Sequence, residues 1–347
     1  MVLDLRNITP FTCQPMPLTA KNGATFLRIV LKGGFEILRD GQLRLAENQP
    51  DVVMEDMYWG EPGTSSVRYE SDVILEKPAT DLVINGQAHA PNGRPVAEMD
   101  VAVAFQQRLV KRLRVTGDRE WRRGPLGWYR TSAVPFTTMP IVYDRAFGGS
   151  DEKGSEPRNR NGTGYSSNFT SAYAGMPVPN IELPDQLINS ASDRPWPAGL
   201  GVISKHWEPR LTYAGTYDAA WLENKFPLLP HNFDNHFFHS VSRDQWIPRP
   251  RGRELVAIQG MTPDGLLGFE LPPCEIRLRL RYRDRVEAKY MAPETVLVEP
   301  EERRLVITWG ASADIHGDPF QLLTIEVGET ADGGRYDCGC ARGRFVP

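Results

Sequence analysis

Four cysteines are too few to staple a chain of 347 residues, and Cys13, Cys274, Cys338 and Cys340 make no disulfide framework of the secreted kind. An excess of either charge is also missing: 40 basic residues against 44 acidic ones leave a net charge of −4. So weak a field argues against nucleic acid or an anionic membrane as the main partner. No apolar run approaches the roughly 20 residues that span a bilayer. The opening residues, Met1-Val2-Leu3-Asp4-Leu5-Arg6, have neither a basic stretch nor an apolar stretch for export. The expectation is a cytoplasmic protein without membrane insertion.

Catalytic signatures are scarce too. There is no Gly-x-Ser-x-Gly elbow, no His-Glu-x-x-His pair, no phosphate loop and no Gly-x-Gly-x-x-Gly after a strand. The densest set of candidate ligands is the stretch His231 to His239, with His231, Asp234, His236 and His239. Imidazoles and a carboxylate suit zinc or copper, but a second ligand cluster is missing, so aromatic packing with surface histidines is the plainer reading. Cys338-Gly339-Cys340 can chelate or oxidise, yet it lacks the second pair that makes such motifs specific. The expectation is therefore no catalysis, no cofactor and no metal. Carboxylates such as Asp72 and Asp81, with abundant Trp and Tyr, keep one alternative open: a carbohydrate-active or carbohydrate-binding β-sandwich.

What the chain has in quantity is glycine (31) and proline (29), which break long helices and favour short strands joined by turns. The run Phe26 to Lys32 is apolar and β-branched, and alternating runs flank Asp40-Gly41, a strong hairpin signal. Met99 to Phe105 alternates, and Leu109 to Val115 leads back as its partner; Thr295 to Val298 and Leu305 to Trp309 flank a polar turn. Asp218 caps a short helix over 218–225. Asp151 to Asn161 reads as an exposed, mobile loop. The fold expected is mainly β, with two antiparallel β-sandwich-like domains at 1–150 and 236–328. A loop-rich, aromatic-rich segment (151–235) joins them, and a flexible tail (329–347) follows. An internal echo leaves two readings open, a duplication and, more plainly, chance matching of strand and turn types. Leu82-Val83, Pro91-Asn92-Gly93 and Val101-Ala102-Val103 recur in type and order as Leu255-Val256, Pro263-Asp264-Gly265 and Ile276-Arg277-Leu278.

One strand carries its own chemistry. Ile276, Leu278, Leu280 and Tyr282 alternate with Arg277, Arg279, Arg281 and Arg283. The arginines would project from one sheet face, where their forked donors can bind carboxylates and dock an acidic partner. A solvated face balanced by neighbouring Asp and Glu is the plainer alternative.

Several phrases together resemble a known family. They are Ser65-Ser66-Val67-Arg68-Tyr69 with Ser71-Asp72, Lys77-Pro78-Ala79-Thr80-Asp81, and Gly86-Gln87-Ala88-His89-Ala90-Pro91. Gly117-Asp118-Arg119, Pro135-Phe136-Thr137, Tyr143-Asp144-Arg145-Ala146-Phe147-Gly148-Gly149 and Pro179-Asn180-Ile181-Glu182 follow. Then come Trp207-Glu208-Pro209-Arg210, Ala214-Gly215-Thr216-Tyr217-Asp218, Phe233-Asp234, and Val298-Glu299-Pro300-Glu301 before Trp309. The sequence is similar to a bacterial family catalogued as a domain of unknown function and found in type VI secretion clusters. Its members are regarded as adaptors or chaperones that load toxin effectors onto the secretion spike. The likeness runs from about Ser65 to Trp309, with weaker agreement before it. It implies two partners, a toxin effector carrying a PAAR-like domain and the VgrG spike protein. No catalytic residue carries over. Arg68, Asp72, Asp81, His89, Asp118, Arg119, Arg145, Trp207, Arg210, Tyr217, Asp218 and Trp309 then read as turn and inter-strand fasteners. The histidines of 231–239 fall where the family pattern does not require them, and the wording of 151–161 is particular to this chain.

Overall fold

The alternating apolar runs fold as strands, and the Gly- and Pro-rich intervals fold as turns. The computed structural model describes residues 3–167, 173–315 and 319–328. Its first strands are β1 (Asp4–Asn7), β2 (Thr12–Thr19), β3 (Thr25–Ile37), β4 (Leu43–Leu45) and β5 (Thr80–Ile84). A hairpin follows, β6 (Glu98–Phe105) and β7 (Arg108–Thr116), and then the short β8 (Ile181–Glu182) and β9 (Trp246–Ile247). The last group is β10 (Leu255–Gln259), β11 (Leu266–Glu270), β12 (Ile276–Tyr282), β13 (Val286–Glu299), β14 (Arg304–Asp314) and β15 (Leu322–Val327).

Ten strands make one large sheet with the order β1-β15-β12-β13-β14-β3-β2, to which β4, β5 and β9 attach. Five make a second sheet, β8-β7-β6-β10-β11. One cluster of buried side chains joins the two. It takes Ile29 and Leu31 from β3, Val101 and Val103 from β6, Val256 and Ile258 from β10, and Leu278, Ile307 and Trp309 from β12 and β14. Each aliphatic side chain so buried contributes about 1.5–3 kcal/mol. Trp309 stacks on Phe11 at 5.4 Å, and its indole N–H donates to the Cys274 carbonyl at 2.9 Å. The edge strand β2 carries Pro15 and Pro17, whose missing N–H groups blunt that edge against further pairing.

Both sheets recruit strands from both ends of the chain. β3 pairs with β14 from Phe26 to Glu36, and β5 runs parallel to β13. In the second sheet β6 pairs with β10. The internal echo of strand and turn types is not an echo of pairing. Leu82-Val83 lies in the large sheet and Leu255-Val256 in the smaller one, while Val101 and Leu278 are exchanged the other way. β11 also intervenes between the Pro263 turn and β12, with no equivalent after Pro91.

The middle segment is ordered by polar groups. Ser150-Asp151 pairs with Gly154-Ser155, where a mobile loop is the sequence expectation. The Asp151 carboxylate accepts from Ser167 N at 2.7 Å and Oγ at 2.8 Å, and from Lys153 N and Gly154 N at 3.0 Å. These bonds, led by those from Ser167, hold its carboxyl at about 2. Asn159 is fully buried and donates to the Tyr143 and Phe147 carbonyls. Hydropathy does not reveal such side chain–backbone bonds. The one α-helix of the described residues, α1 (Ala219–Asn224), is capped by Asp218 accepting from Trp221 N at 2.8 Å. No helix among them is long and apolar enough to cross a membrane.

The inner face of the large sheet feeds the core, and its outer face is finished differently at its two ends. At the β5 end that face is covered: Val83 packs with Val67 of a short overlying strand (Val67–Tyr69) and with Val202 and Val241 of overlying loops. At the β12 end, Val286, Ala288 and Tyr290 of β13 stay exposed.

Candidate binding groove

Charged side chains form a bed under the covering loops. Arg28 of β3, only 2% exposed, forms an ion pair with Glu294 of β13, which also accepts from Lys77 N at 3.2 Å. Lys32 donates to Asp72 at 2.6 Å. Asp81 is fully buried and accepts from Lys77 Nζ at 2.6 Å, Ser240 N at 2.7 Å and Ser240 Oγ at 2.9 Å. His239 Nδ1 lies 2.5 Å from its other oxygen, with the imidazole stacked on Trp246 at 4.0 Å. Burial alone would raise the Asp81 carboxyl, but Lys77 and His239 outweigh it and hold it at about 2.

Above this bed, residues 50–56 run without secondary structure as a strap. Asp72 fastens it, accepting from Val53 N at 2.7 Å while its own N–H donates to the Val53 carbonyl at 2.7 Å. Ser71 Oγ donates to the Met54 carbonyl at 2.8 Å, and Gln49 clasps Gly34 through both its amide groups. Between strap and sheet lies a groove of about 520 Å³, lined by Val52, Val53, Met57, Leu297 and Val306 with Lys32 and Arg304. A smaller cavity of about 50 Å³ shares Lys32, Tyr69, Leu297 and Val306 with it.

Met54 and Met57 form a lip, 54% and 52% exposed, and the Arg68 guanidinium stacks 4.5 Å over the ring of Trp59 beside them. Behind two of the lining residues, Tyr69 and Arg304, Glu299 accepts from Tyr69 Oη, from Arg304 and from Arg68. Burial and then Glu299 push the Tyr69 hydroxyl up to about 12, so it stays a neutral donor. The charged groups here hold one another, which fixes the shape of the groove. The apolar walls and flexible methionine lip suit a partner's apolar side chains.

The remaining residues of the sequence pattern are spread through the fold. His89 Nε2 lies 3.0 Å from Glu301 at the surface. Asp118 pairs with Arg145 at 3.2 Å and accepts from Asn180, while Arg119 pairs with Glu182 at 2.8 Å. Trp207 packs edge-on against Tyr143. Arg210, buried, donates to the Ile203 and Phe237 carbonyls and pairs with Glu70 at 2.6 Å. Tyr217 is half exposed against Trp221. Only Arg68 and Asp72 of this set line the groove or its cavity.

In the histidine stretch, His236 Nδ1 lies 2.6 Å from Asp234, His239 is taken up by Asp81, and His231 is exposed. Among the described residues no group of three or more His, Cys, Asp or Glu side chains is placed to hold a metal ion. Cys338, Cys340 and the tail 329–347 lie outside the described residues. In the arginine strand, Arg277, Arg279 and Arg281 do point outward from β12, whereas Arg283 lies beyond its end, in the turn to β13.

Sequence reasoning misses Lys32, Glu294 and the strap. One signal was available: Arg28 and Lys32 sit four residues apart in an otherwise apolar run, on the same face of a strand.

A family model described as an uncharacterized protein conserved in bacteria (DUF2169) matches residues 22–310, and the chain belongs to that family. No curated protein and no solved structure matches it.

Proposed function

We propose that this DUF2169 protein is a non-catalytic adaptor that binds a toxin effector and assists its loading onto the VgrG spike in type VI secretion. The observation that carries the reading is the groove of about 520 Å³ with its half-exposed methionine lip, a surface built to accept apolar side chains of a partner. Its charged neighbours are committed to fastening the strap and the sheet, as Asp72 and Glu299 illustrate. The resemblance carried by the phrases between Ser65 and Trp309 supports the setting, a bacterial cytoplasm, and the partner, an effector with a PAAR-like or N-terminal region that the groove would hold.

The test is co-purification with the toxin effector encoded beside the protein. Met54→Glu with Met57→Glu places charge at exposed lip positions and is expected to weaken capture at least about tenfold. Export of a soluble effector in a strain lacking the protein, or capture indifferent to the lip, overturns the reading.

A further inference from the structure

The exposed end of the large sheet carries a second, differently built surface. Residues directly opposite one another on paired strands share a face. The register sets Arg277 opposite Tyr290, Arg279 opposite Ala288 and Arg281 opposite Val286. On the other side Arg279 stands opposite Glu326 and Arg281 opposite Thr324. β1 extends these rows, with Arg6 next to Glu326 and Asp4 next to Thr324.

Four parallel rows result: an apolar row on β13 (Val286, Ala288, Tyr290), a guanidinium row on β12, and mixed rows on β15 and β1. Val286 is 51% and Tyr290 59% exposed. Among the described residues of these rows, Arg6 pairs with Asp4 at 2.7 Å and shares Glu326 with Arg279 at 3.6 Å. An arginine has five N–H donors, so one already in contact with a carboxylate can still take another.

We propose that this face docks an extended acidic segment of a partner protein. Alternate residues on β12 repeat every ~6.7 Å, and so do alternate residues of an extended peptide. Carboxylates at every second position of the segment then lie over Arg277, Arg279 and Arg281. The adjacent row, ~4.8 Å away, is apolar and takes the segment's aliphatic groups. A nucleic acid backbone would match the arginines but not the apolar row, and the net charge of −4 opposes it. This surface is separate from the groove and does not depend on it.

The test uses a labelled peptide of alternating Glu and Val, its Lys-Val counterpart, and oligothymidylate, each followed by fluorescence anisotropy. The Glu-Val peptide is expected to bind saturably, and to bind less as salt rises from about 50 to about 300 mM. Arg279→Glu with Arg281→Glu is expected to weaken it at least about tenfold, and Arg281→Gln alone about threefold. Met54→Glu with Met57→Glu leaves this binding unchanged, which separates failure here from failure of the groove. Absence of saturable Glu-Val binding, indifference to the double reversal, or tighter binding of oligothymidylate overturns the proposal.

Discussion

The outer face of the large sheet is one surface finished in two ways, and β13 runs through both. From Val286 to Tyr290 its outward side chains stand in solvent; from Glu294 to Glu299 they lie under the strap and its neighbouring loops. Both halves are charged. Under the loops, Arg28, Lys32, Lys77 and Asp81 are almost wholly buried, and each has an opposite charge within contact. On the exposed half, Arg277, Arg279 and Arg281 of β12 stand on the outer face beside the apolar row of β13. The same strand signature, charge alternating with apolar residues, is therefore an internal fastening in one place and a surface in the other. What lies on top decides which.

The sharpest way to break this contrast is to remove one buried charge. Asp81→Asn leaves the buried Lys77 ammonium without its carboxylate, a loss of about 3–5 kcal/mol. Denaturant unfolding should show it; a loss below about 1 kcal/mol would mean that the covered half tolerates lone charges as the exposed half does. The pH dependence has the same origin. The folded state lowers the Asp81 carboxyl from the usual 3.8 to about 2, so the unfolded chain binds the proton more readily. The stabilisation is then fully present above 3.8 and is lost as pH falls through about 2. The Asn variant should have a shallower acid limb over that window.

A smaller effect is expected at Gly310. A methyl group built there would overlap Arg28 Nη2 and come within 2.5 Å of Glu294 Oε2, so glycine makes room for the buried pair. Gly310→Ala is expected to cost about 1–3 kcal/mol by overpacking. A thermal melt unchanged by the substitution would show that the pair can shift aside, and that the covered half is looser than its contacts imply.

Much of this architecture is legible in the sequence where the signal is local. The strict alternation of Ile276 to Tyr282 predicts β12 and the outward arginines, and Asp218 predicts the helix cap. Sheet membership is not local. β3 finds its partner in β14, and no period within Phe26 to Lys32 names Leu305 to Trp309 as that partner. The strap fails for a related reason: Pro50-Asp51-Val52-Val53-Met54 has no periodicity, and what orders it is the Asp72 carboxylate from another segment. Asp72 and Arg68 stand out by resemblance, but their partners Lys32 and Glu299 lie far along the chain. The groove exists only once those segments have met.

The smallest effect is the one that sharpens the comparison most. Arg281 is exposed on β12, beside the exposed Val286 of β13. If that half of the face is a true surface, Arg281→Glu changes folding stability by no more than about 0.5 kcal/mol, because an exposed charge is held by water and not by partners. Its effect should show only when an acidic segment is present, as lost binding without lost stability. The Asp81 variant should behave in the opposite way, losing stability whether or not a partner is there. A loss above about 1 kcal/mol at Arg281 in the protein alone would instead mean that another part of the chain already occupies the arginine row. The two halves would then differ in degree of cover, and the docking surface would have to be sought elsewhere.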